Sequence, residues 1–152
     1  MAVLEQARRI LPGFWLGLLV CVAALAAPAA FGELERAEAA RYVNQLFLRE
    51  AYASLLIGTT LLALERMRAR RRVLAGLGSQ FSGEMGLALG AVFCTVLGYF
   101  AVQPMLPGAK MGQGPLTFGQ LHAVSVVFFA VKGFLAAVLA WRTVGPVPSP
   151  AT

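Results

Sequence analysis

The sequence predicts an all-α integral membrane protein: a four-helix transmembrane bundle, with an outer-surface amphipathic helix leading into the second span. Three observations predict it. Of 152 residues, 59% are hydrophobic and only 13% charged, whereas a soluble domain sits near half apolar and a quarter charged. The apolar residues fall into four long blocks rather than recurring at a core-facing period, which is the pattern lipid demands. The basic residues lie between those blocks, where Lys and Arg set topology and meet anionic headgroups. The net charge of +6 therefore reads as membrane-surface charge. No recognition fold accompanies it, so a nucleic-acid partner is not expected.

The first block covers about residues 10–31, enough for the ~20 residues that cross a ~30 Å hydrocarbon core as a helix. Its end, "AALAAPAA", resembles a signal-peptide cleavage site. The apolar run, however, exceeds the usual 7–15-residue core of such peptides, so a retained span is expected. The second block, about 46–64, contains an uncharged stretch at 51–64 that is too short alone and must borrow residues 46–50. Ahead of it, "GELERAEAARYVNQLF" sets Leu34, Ala37, Val43 and Phe47 on one side, with Glu38 and Arg41 spaced to pair at i, i+3. This predicts a helix that lies along the outer surface or extends the second span. The third block covers about 85–106. The loop after it, "QPMLPGAKMGQGPLTFG", is rich in Pro and Gly and is expected to be irregular. The fourth block is about 116–141. Residues 1–145 thus form a single four-span membrane domain, and 146–152 a flexible tail.

Orientation follows from charge. One side carries Arg8, Arg9, the cluster Arg66, Arg68, Arg70, Arg71 and Arg72, and Arg142; the other carries Arg36, Arg41, Arg49 and Lys110. The positive-inside rule places both termini and the middle loop in the cytoplasm of a bacterial inner membrane. The Arg66–Arg72 cluster reads as a topology anchor on anionic lipid, with docking of a partner protein as the alternative.

The two cysteines sit in matching frames, "GFWLGLLVC" and "GLALGAVFC". Residues four apart share a helix face, so Gly13, Gly17 and Cys21 form one small-residue stripe, and Gly86, Gly90, Cys94 and Gly98 another. Such stripes let helices approach closely, within the chain or against a second copy or partner. Hydrocarbon disfavours the thiolate, the form that attacks or ligates. Packing is therefore the expected role, ahead of soft-metal or redox chemistry.

The fourth block carries polar groups where lipid belongs. His122, Ser125 and Lys132 fall near one face. Lys132 lies deep in its span, at a nominal ~2.5–3.5 kcal/mol on insertion scales. It is expected to snorkel toward the cytoplasmic headgroups, or else to face the interior against a Glu or a wet cavity. Glu50, entering the second span, would join His122 and Ser125 near the outer face. The candidate polar cluster is Glu50, His122, Ser125 and Lys132, serving as a structural latch or as a ligand or proton site. No catalytic residue, metal or cofactor is expected. There is one His and no Asp, so a bis-histidine haem cannot form within one chain, and no P-loop, nucleophile elbow or H-E-x-x-H motif occurs.

The segments "APAAF", "QLFLREAY" and "FGQLHAVS" resemble the bacterial branch of the transmembrane protein 205-like family, also called domain of unknown function 4149. The resemblance points to Pro28, Phe31, Phe47, Tyr52, His122 and Ser125. Lys132 departs from it, standing where an uncharged polar residue is more typical. It implies a small four-helix membrane protein and brings no established reaction. The expected role is a non-enzymatic accessory or assembly component acting through helix packing. The alternative is a small-solute or metal-ion transporter or binding protein that uses the polar cluster.

Overall fold

The computed structural model describes residues 2–144, so the expected tail at 146–152 lies outside the described residues. Every regular element among them is helical. The first span runs from α1 (Ala2–Val20) through a π-helical turn (Cys21–Ala26) into α2 (Ala27–Glu33). The second is one continuous helix, α3 (Arg36–Leu74). The third is α4 (Gly83–Thr95), then a second π-helical turn (Val96–Ala101), a 3₁₀ turn (Gln103–Met105) and the short α5 (Leu106–Lys110). The fourth is α6 (Phe118–Val144). All four are long and apolar enough to cross a membrane; the chain is a multi-pass membrane protein.

Both π turns have a local cause. Pro28 and Pro104 each follow such a turn within three residues. A proline has no N–H for the carbonyl four residues back and crowds it. Widening the helix by one residue relieves that crowding. The i→i−5 bonds Ala27 N–H to Val22 O and Val102 N–H to Leu97 O mark the change.

α3 has 39 residues, about 58 Å at 1.5 Å per residue, against a ~30 Å core. Its first turns therefore project beyond the membrane. The expected amphipathic lead is this projection, not a separate helix on the surface; Arg41 reaches Glu38 at 4.0 Å there.

The bundle packs on Trp15 and Leu19 from α1, Ile57 and Leu61 from α3, Ala88 and Ala91 from α4, and Ala136 and Leu139 from α6. In lipid the attraction between helices comes from close packing, so small alanines at the crossing are favourable. Gly58 and Gly98 mark the tightest approaches. A Cβ on Gly98 would stand 2.6 Å from Phe128 Cβ, and one on Gly58 would collide with Val92 Cγ2.

The loops are ordered by identifiable caps. α3 ends in a Schellman motif: Gly76 at φ +73°, with Leu77 N–H to Arg72 O at 2.8 Å and Gly76 N–H to Val73 O at 2.9 Å. Ser82 caps α4 by accepting from Met85 N–H. At the far end, Thr117 and Gln120 form a reciprocal capping box that starts α6. The stretch after the third span is thus only partly irregular: residues 103–110 are helical, and turns begin at Met111.

Candidate functional site

α3 turns a stripe of Glu50, Ser54, Ile57, Leu61 and Glu65 inward, spacings of four, three, four and four that hold one helical face. Two of these are carboxylates, and each meets a cation from another helix. Midway along α6, Lys132 Nζ donates to Glu50 Oε1 at 2.8 Å and to Oε2 at 3.0 Å. Both side chains are at least 96% buried. Ser54 Oγ donates to Glu50 Oε1, and Trp15 Nε1 donates to Ser54 Oγ at 2.8 Å. The ammonium also sits 4.7 Å from the centre of the Phe129 ring. One chain of contacts thus ties the first, second and fourth spans.

The arrangement is closed. An ammonium has three donors and no acceptor. Two go to Glu50, and the remaining side of the charge faces an aromatic ring, a favourable cation–π placement. Such a group makes sense in hydrocarbon only when paired, and here it is.

This corrects the expected cluster. Lys132 does not snorkel to the basic end, because a helical side chain leans toward its own N-terminus. α6 runs toward the basic end, so Lys132 leans away from it and reaches Glu50. His122 is not in the cluster. The inward line of α6 runs through Leu121, Lys132, Ala136, Leu139 and Thr143, and His122 lies one position, about 100°, past Leu121. It is exposed and stacks on Phe118 at 5.9 Å. Ser125 lies on the inward line but donates to Gly98 O at 3.2 Å, joining α6 to the third span. Ser54 and Trp15 are the members the sequence reading missed; the i, i+4 spacing of Glu50 and Ser54 was the available signal.

The second pair lies at the basic end. Arg8 Nη1 donates to Glu65 Oε1 at 3.1 Å, and Arg8 Nη2 donates to Glu5 Oε1 at 2.7 Å. Arg8 is 6% exposed and Glu65 2%. Arg8 therefore holds the bundle together as well as marking its basic side. Arg142 reaches Glu84 at 3.0 Å, joining α6 to α4. Arg66, Arg68, Arg70, Arg71 and Arg72 are all exposed, and Arg68 approaches Glu65 Oε2 at 3.9 Å.

The two glycine stripes part company. In the second, Gly90 packs near Leu135, Cys94 is buried, and Gly98 meets Phe128; Gly86 faces open space. In the first, Gly13 and Gly17 have nothing within 4 Å of a would-be Cβ, and Cys21 is exposed. The inward line of α1 is Arg8, Pro12, Trp15 and Leu19, which turns Gly13, Gly17 and Cys21 out of this bundle. The first stripe contributes nothing to packing within the chain. Among the described residues, no three His, Cys, Asp or Glu gather where they would hold a metal ion.

The family model described as a domain of unknown function, DUF4149, matches residues 10–115. That stretch holds Trp15, Glu50, Ser54 and Glu65 and stops short of α6, so Lys132 lies beyond it. No curated protein matches this chain, and no solved structure does.

Proposed function

The chain belongs to the DUF4149 family, and from that premise we propose that it is a non-enzymatic accessory or assembly component of a bacterial inner membrane. It acts through helix packing. The observation that carries this reading is the closure of the Lys132–Glu50–Ser54–Trp15 chain, in which two of the three ammonium donors go to Glu50 and the Phe129 ring covers the remaining side of the charge. A buried ion pair of this kind best serves to fix which helix meets which, and in what register. The bundle so fixed presents Gly13, Gly17 and Cys21 outward as a smooth strip for a second copy or a partner helix. The concentration of Arg8, Arg9, Arg66–Arg72 and Arg142 at one end supports cytoplasmic termini and contact with anionic headgroups there.

The test is cross-linking through Cys21 in native membranes, in a Cys94→Ser background, with the products identified by mass. The reading expects a linked species that Gly17→Leu abolishes. Only monomer, under conditions where Cys21 is fully labelled by a monofunctional reagent, would sink it.

One observation favours a second reading. A Lys–Glu pair inside spanning helices is the usual mark of an ion or proton pathway, which would make the protein a small-solute or metal-ion transporter. That reading expects solute or proton flux in proteoliposomes that Glu50→Gln removes.

A further inference from the structure

At the basic end, the loop between α3 and α4 roofs a cavity of about 250 Å³ whose walls include Glu65, Arg68, Arg72, Phe81 and Arg142. That is slightly below the ~300–1,000 Å³ of drug-sized sites, and suits a headgroup. Glu65 supplies the unexplained atom. Its Oε1 is held by Arg8, while Oε2, fully buried, has no hydrogen-bond partner. Arg68 Nη1 stands 3.9 Å from it, too far for a hydrogen bond. A buried carboxylate oxygen left in that state is costly, and a native fold rarely tolerates one without a ligand or water to answer it.

The wall therefore asks for two things from one occupant. Glu65 Oε2 needs a donor. Arg68 and Arg72, both exposed at the mouth, offer planar guanidinium forks that match phosphate oxygens; Arg142 is already engaged by Glu84. The rim says where the occupant comes from. Phe81 is part of the cavity wall and 78% exposed, and Leu74 and Leu77, at the end of α3 and in the loop after it, are 87% and 61% exposed, so exposed apolar groups accompany a charged cavity at the level where the spans end. That is the layout of the membrane interface, with acyl chains on one side of the headgroup.

We propose that this cavity binds one membrane phospholipid. Its phosphate lies on Arg68 and Arg72, and the ammonium or hydroxyl of its headgroup donates to Glu65 Oε2. The site selects for a headgroup with a polar hydrogen: ethanolamine or glycerol fits, and choline, which has no N–H or O–H, does not. This goes beyond contact between a basic loop and anionic lipid, because charge alone does not separate phosphatidylethanolamine from phosphatidylcholine. Both are zwitterionic with one phosphate.

The experiment is native mass spectrometry of the intact protein after exchange into an equimolar, acyl-matched mixture of phosphatidylethanolamine, phosphatidylglycerol and phosphatidylcholine. One hydrogen bond to a buried charge corresponds to about a tenfold preference. Retention of the ethanolamine lipid over the choline lipid by about that factor is expected, as is its loss in the Arg68→Gln, Arg72→Gln double variant with an unchanged melting temperature. Equal retention of the two zwitterionic lipids in wild type would overturn the proposal, leaving water as the partner of Oε2. So would a preference that survives the double variant. Displacement of the lipid by millimolar glycerol 3-phosphate would assign the same cavity to a soluble phosphate ester instead.

Discussion

Removing Lys132 alone should cost far more than removing Lys132 and Glu50 together. In Lys132→Met the Glu50 carboxylate keeps only the Ser54 hydroxyl as a donor, inside a site where its side chain is 2% exposed. Breaking a buried pair from one side typically costs about 3–5 kcal/mol, whereas replacing both partners by apolar groups of similar volume is often neutral or stabilising. Glu50→Met deprives Ser54 of its acceptor, but a helical hydroxyl can turn to the carbonyl four residues back, as Thr60 does to Leu56 at 2.7 Å. At roughly 2–4 °C per kcal/mol for a chain of this size, the single variant should melt about 6–20 °C lower. The double variant should match or exceed wild type. Trp15 is the reporter: its indole is fully buried and bonded to Ser54, while Trp141, the chain's other tryptophan, is 84% exposed. Emission followed through heating in detergent reads the latch directly. A double variant that falls as far as the single, or by the sum of the two singles, would refute the latch.

Four further outcomes test the packing and the cap of α6. Gly98→Ala drives a Cβ to 2.6 Å from Phe128 Cβ and should cost about 1–3 kcal/mol as overpacking. Gly13→Ala meets open space and should be neutral or gain up to ~1 kcal/mol from helix propensity; equal losses in thermal melts would mean the two stripes are equivalent after all. Cys21, exposed on the outer face of the first span, should react with a membrane-permeant maleimide in the folded protein, more slowly than a thiol in water because hydrocarbon disfavours the thiolate, and buried Cys94 only after denaturation; mass spectrometry of labelled single-cysteine variants decides it. Thr117→Ala removes the hydroxyl that accepts from Gln120 N–H and should cost about 1 kcal/mol, read as earlier loss of helix on heating and undetectable if the box is unimportant.

How far the sequence carried depended on the range of the physics involved. The four spans were legible because lipid imposes a length and a composition on each segment separately, and nothing about neighbours is needed to see them. The long projection of α3 was half legible: the pairing of Glu38 with Arg41 is local, but whether residues 36–45 bend away or continue the span depends on the absence of a helix stop, which no motif announces. The π turns were not foreseen, although Pro28 and Pro104 were visible as prolines within or just beyond apolar runs.

The site was harder because it is a property of rotation. A stripe of residues four apart looks the same whether it faces lipid or a neighbouring helix, so Gly13–Gly17–Cys21 and Gly90–Cys94–Gly98 were indistinguishable in sequence. What separates them is which other residues on the same helix must be inward. In α1 that is settled by Arg8, Pro12, Trp15 and Leu19, one charged and one large aromatic group that lipid would not accept comfortably on the opposite face. The same logic applied to α6 would have discarded His122. Lys132, as the costliest group in the helix, fixes the inward direction, and Ser125 at seven residues back shares it within about 20°, whereas His122 at ten back is about 80° away. Helix rotation in a membrane bundle is therefore best read from its most expensive side chain first, and the cheaper polar groups placed by their angle to it.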